Sequence, residues 1–159
     1  MKVLVKVAIT LLIFSSFSCF ARTPVAIIDH VDIPVITRSG SPITDERVRD
    51  AITVAAQSLN WEVGRSPSQN MLSATLHVRG KHTAVVSITY SIKKYSIVYQ
   101  SSVNLNYGRT EPEVSGSLDI HNINNPIARM PVGTQVIHPF YNKWVQDLNE
   151  NIKRELLKL

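Results

Sequence analysis

The chain has 159 residues, 17 Lys and Arg against 12 Asp and Glu for a net charge of +5, and a single cysteine. That length serves one domain with one modest core rather than two, and one cysteine excludes an internal disulfide framework. The basic residues are scattered rather than striped, which argues against a phosphate-tracking groove and a nucleic-acid partner.

The amino terminus has the three-part pattern of a secretory signal: Lys2 and Lys6, an apolar run over Val7 to Phe14, then small residues. The run is too short to span a bilayer stably. Cleavage after Ala21 puts Cys19 in the discarded 1–21 segment and leaves about 138 residues starting at Arg22. The net charge then falls to about +3. The alternative is cleavage before Cys19 followed by its acylation, which would anchor the chain to a membrane. A lipoprotein signal places a Leu-like residue three positions before the cysteine and a small one two before it, where this chain has Ser16 and Phe17. That context favours soluble export to the periplasm.

Residues 22–43 read as an extended arm or edge strand, β-branched but broken by Pro24 and Pro34. A single domain over 44–159 follows. Its first helix starts with Thr44 as N-cap, Asp45 and Glu46 in the first turn, and Ile43 stapled onto Val48. Val48, Ile52, Ala55, Ala56 and Leu59 make its apolar face. Trp61 and Val63 begin a short strand before the loop Arg65 to Asn70.

A meander comes next. Leu72, Ala74, Leu76 and Val78 alternate with polar residues, and Ala84, Val86, Ile88 and Tyr90 alternate with Thr83, Val85, Ser87 and Thr89. Both inward sets are even-numbered, so an odd-length connection of three or five residues containing Gly80 is required. In the following strand the inward set is odd, Tyr95, Ile97 and Tyr99, and a four-residue turn over Ser91 to Lys94 joins it correctly. The last helix opens with His138 at the cap and Pro139 at the first position. Tyr141, Trp144, Val145, Leu148, Ile152, Leu156 and Leu159 form its stripe.

Two amphipathic helices on one face of a three- to four-stranded antiparallel meander give an α+β two-layer sandwich in the order α-β-β-β-α. Residues 108–136, rich in Gly, Pro, Asn and Ser, form a long loop that this plan does not need.

The stretches ARTPVAIIDHVDIPV, VRDAITVAAQSLNW, ATLHVRGKHTAVVSITYS, YSIVYQSSVNLNYG and IHPFYNKWVQDLNENIKREL together resemble a family of small exported proteobacterial proteins and lipoproteins of undetermined function. The resemblance covers most of the mature chain and is sharpest at VNLNYG and IHPFYNKWV. It implies an envelope location and a compact α+β domain, and carries no activity with it. The chain departs from the family pattern in its longer 108–136 segment and in the weak lipoprotein context of Cys19.

No phosphate loop, nucleophile elbow or HExxH zinc motif occurs. A metal-dependent or hydrolytic site would have to draw on His30, Asp32, His121 and His138, with His30 and Asp32 on one side of an extended strand and Asp29 opposite. Ser115 or Ser117 with Asp119 and His121 is too tightly spaced for a triad. His77 and His82 flank the Gly80 turn on opposite faces and should not pair. The polar residues that stand out are Asn104, Asn106, Tyr107, His138, Tyr141 and Asn142, placed either to lock the sheet end to the last helix or to bind a ligand. The expectation is a non-enzymatic binding or adaptor domain of the cell envelope, without cofactor or metal. Its partner would be another envelope protein or a small envelope ligand.

Overall fold

The computed structural model describes residues 23–38, 42–66, 68–111, 127 and 130–159. Residues 1–21 with Cys19, and Ser115, Ser117, Asp119 and His121, lie outside them.

The fold is an α+β sandwich of two helices on one antiparallel sheet, with a second small sheet beside it. Strands β1 (Val25–Ala26) and β2 (His30–Pro34) come first, then helix α1 (Asp45–Gln57). Strands β3 (Trp61–Arg65), β4 (Met71–Val78), β5 (His82–Tyr90) and β6 (Lys94–Val103) form the meander. Two short strands, β7 (Gly108–Arg109) and β8 (Gln135–Ile137), precede helix α2 (Pro139–Leu156). The main sheet has five strands in the order β2-β6-β5-β4-β3, wider than the sequence pattern implied because the amino-terminal arm supplies an edge. Both ends of the 108–136 segment are also built in: β8 pairs with β1 on one side and β7 on the other.

The local signals act as expected at the helix starts. The Thr44 side chain accepts the Arg47 N–H at 3.3 Å. His138 caps α2, its Nδ1 accepting the Phe140 N–H at 3.2 Å. The connection from β4 to β5 is the three residues Arg79, Gly80 and Lys81, so Leu76 faces Ala84 and Val78 faces His82 across the ladder. Tyr90 faces Tyr95 across the four residues between them.

Alternation in β6 lasts through Tyr99. A bulge at Gln100 then resets it, with Val86 opposite Tyr99 but Val85 opposite Ser101. Val48, Ile52, Ala55 and Ala56 of α1 meet Tyr141, Val145, Leu148, Ile152 and Leu156 of α2 over Leu72, Ala74, Val86, Ile88, Tyr95 and Ile97 of the sheet. The opposite face of the sheet carries Ser73, Thr75, Ser87, Thr89, Ser96 and Val98.

Edge strand β2 does not alternate regularly. Asp32 takes a left-handed φ of 55°, and the register with β6 shifts between His30 and Ile33. His30 and Asp32 therefore do not share a side as the extended-strand reading required. His30 reaches Asn149 of α2, whereas exposed Asp32 pairs with Lys94 at 2.7 Å. Asp29 is also committed, its Oδ1 accepting the Tyr99 N–H at 2.9 Å. Pro34 is tolerated because β2 is an edge.

Candidate functional site

A concavity among the described residues lies where the β4–β5 turn meets the start of α2. It is a cleft of about 320 Å³ lined by Val78, Arg79, His82, Leu105, His138, Phe140, Lys143 and Trp144. A second concavity, between Arg38, Arg154, Leu157 and Lys158, is more open to solvent. Apolar walls with a few polar groups mark small-molecule sites, so the first is the better candidate.

The VNLNYG stretch builds one wall. Asn104 and Asn106 both adopt left-handed φ, 57° and 50°, a region Asn tolerates better than most residues. The chain between them turns Leu105 into the core at 2% exposure. The Leu105 carbonyl accepts the His138 N–H at 2.8 Å, which fixes where α2 begins. Asn104 also ties this wall to the β4–β5 turn, its Nδ2 donating to the Lys81 carbonyl at 2.7 Å.

These contacts set the protons of the two cleft histidines. His82 Nδ1 lies 2.8 Å from the Asn104 carbonyl oxygen. That oxygen can only accept, so His82 Nδ1 carries the proton and Nε2 of the neutral ring has the lone pair. His138 Nδ1 accepts a backbone N–H, so its neutral ring is protonated at Nε2. Opposite tautomers thus line one cleft.

The floor is aromatic. Phe140 and Trp144, one helical turn apart, lie 6.1 Å between ring centroids at 28°. Among the described residues, no acidic side chain lines the cleft. Lys143 is held by Asp147 at 3.3 Å, whereas the Arg79 guanidinium has no hydrogen bond or ion pair with any described residue.

Of the polar residues singled out from sequence, His138 lines the cleft and Asn104 braces it. Tyr107 stacks on Tyr99 at 4.8 Å, and its hydroxyl accepts from the Gln135 amide at 3.1 Å. Tyr141 is in the core at 1% exposure, edge-on to Tyr99, and burial pushes its hydroxyl pKa up. Asn142 clamps the amino-terminal arm: its Nδ2 donates to the Ala26 carbonyl at 2.8 Å and its Oδ1 accepts the Ile28 N–H at 3.2 Å. These two bonds tie α2 to the arm, not to the sheet end.

Of the set proposed for metal or hydrolysis, the described members His30, Asp32 and His138 do not gather, and His121 lies outside the described residues. His30 contacts Asn149, about three turns along α2 from His138. Among the described residues, no group of three His, Cys, Asp or Glu is placed to hold a metal ion. His77 and His82 do lie on opposite faces, His77 bonded to Thr83.

The sequence reading missed Val78, Arg79, Leu105, Phe140, Lys143 and Trp144 as one surface. The available signal was Phe140 and Trp144 at i and i+4 beside the IHPFYNKWV cap, with Trp144 at the margin of the apolar stripe. The chain matches no protein-family model, no curated protein and no solved structure. None of its described helices is long and apolar enough to cross a membrane.

Proposed function

We propose that this is an exported envelope protein whose single domain binds a small ligand in the cleft between the β4–β5 turn and α2, without performing chemistry on it. Export rests on the Lys2/Lys6 and Val7 to Phe14 signal pattern and on the resemblance to small exported proteins. The observation that carries the binding reading is the cleft itself: Leu105, Val78, Phe140 and Trp144 form apolar walls beside two cations and two histidines. Such a mixture is what a site that orients a small molecule requires.

A soluble periplasmic domain would meet its ligand free in that compartment, and an acylated Cys19 would hold the same cleft near a membrane. The binding reading predicts a local response in nuclear magnetic resonance spectra. The chain has two tryptophans. Trp144 lines the cleft, while Trp61 is buried in the core at 2% exposure. Titration with a mixture of small fragments should move the Trp144 indole N–H resonance and leave that of Trp61 in place. A Trp144 resonance indifferent to every fragment would overturn the reading.

A further inference from the structure

We infer that the ligand taken by the cleft is a small aromatic carboxylate, its ring on the Phe140–Trp144 surface and its carboxylate on Arg79. This rests on the cleft being a binding site and adds the chemistry of what fills it.

The charge balance selects an anion. Among the described residues, two cations, Arg79 and Lys143, border the cleft and no carboxylate does. A cationic ligand would meet repulsion, and a neutral polyol would find few acceptors. The two cations are not equivalent. Lys143 already shares its charge with Asp147 at 3.3 Å. Arg79 has no partner among the described residues, and its planar fork matches a carboxylate with two parallel hydrogen bonds.

Arg79 also holds an uncomfortable backbone position. It has φ of 52°, followed by Gly80 at 63°. Glycine adopts this region freely, and a residue with a β-carbon does so at a cost in stability. The sequence nevertheless has arginine there, at the rim of the cleft, with glycine only at the next position.

The body of the ligand follows from the walls. Phe140 and Trp144 present ring planes 28° apart, and Val78 and Leu105 add apolar surface beside them. A planar ring gains stacking or edge contacts there that a flexible alkyl chain does not. The volume of about 320 Å³ falls at the low end of small-molecule sites, which fits a single-ring acid rather than a long lipid.

The test uses the full folded domain and three probes: phenylacetate, its neutral isostere phenylacetamide, and acetate. Binding is read by calorimetry and located by the Trp144 and Trp61 indole resonances. Phenylacetate should bind and move Trp144. Phenylacetamide should bind about tenfold or more weakly, the worth of one charged hydrogen-bonding pair, and acetate should not saturate. Arg79→Gln, with its fold checked by thermal unfolding, should reduce phenylacetate to the affinity of the amide and leave the amide unchanged.

Equal affinity for acid and amide, or a preference that survives Arg79→Gln, would overturn the inference while a Trp144 response keeps the binding reading. Absence of any response to acid and amide would also overturn it. The fragment mixture then decides separately whether the cleft binds anything.

Discussion

The hydroxyl of Tyr95 in β6 donates to Oδ1 of Asn149 in α2 at 2.7 Å, and both residues are almost wholly buried. This bond joins the two layers of the sandwich, from the start of β6 to the middle of α2. Burial raises the Tyr95 pKa well above that of a free tyrosine, so the hydroxyl stays a donor over any ordinary pH. Tyr95→Phe keeps the ring and strands the amide oxygen, a loss of about 1–3 kcal/mol. At about 4 °C per kcal/mol for a domain of this size, a clear drop in melting temperature is expected. Adding Asn149→Leu should recover part of it, because the unsatisfied acceptor is then gone. A single variant as stable as wild type would show that the bond contributes nothing.

The same asparagine reaches outward. Its Nδ2 lies 3.4 Å from His30 Nδ1, a long contact that the neutral ring can accept and the imidazolium cannot. Partial burial and the Lys153 cation lower the His30 pKa, while Asp29 and Glu150 oppose the shift. The folded chain therefore disfavours protonation relative to the unfolded chain. The stability attached to neutral His30 is complete above the unfolded value of about 6.5 and is lost as pH falls from there through the lowered folded pKa. Urea-unfolding midpoints measured between about pH 7.5 and about pH 5 should fall more steeply for wild type than for His30→Gln. Identical slopes would remove His30 from the pH response.

Asn142 holds the arm, so its loss should loosen the arm and spare the cleft. Asn142→Ala removes the bonds to Ala26 and Ile28 and is expected to lower stability by about 1–2 kcal/mol. Hydrogen exchange at the Ile27 and Ile28 amides should speed up, while the response of Trp144 to fragments stays as in wild type. Lost binding at unchanged stability would instead place Asn142 in the binding site.

The fate of Cys19 is read from intact mass. Protein purified from the cell envelope should begin at Arg22, with no thiol and no lipid. A mass matching an acylated chain beginning at Cys19 would replace the soluble reading with a membrane-tethered one.

How far the sequence exposed this fold depended on periodicity. The even-numbered inward sets of β4 and β5 demanded an odd connection, and Arg79–Gly80–Lys81 supplies it. Thr44 and His138 were legible because capping is local chemistry. Strands β1, β7 and β8 have two or three residues each, too few to show a period, and their pairing joins segments far apart in sequence. The bulge at Asp32 was hidden for a related reason: it arises from the pairing of β2 with β6 and leaves no mark on composition. The cleft was harder still. Val78 and His82, Leu105, and Trp144 come from three places in the chain, and Trp144 also belongs to the apolar stripe that reads as core.

The most direct test of the central claim, that the β4–β5 turn and the start of α2 enclose a binding site, is diffraction from crystals soaked in the small-fragment mixture. The predicted result is ligand density bounded by Val78, Leu105, Phe140 and Trp144. Fragments gathered on the Ser/Thr-rich face of the sheet, with that cleft empty, would contradict it.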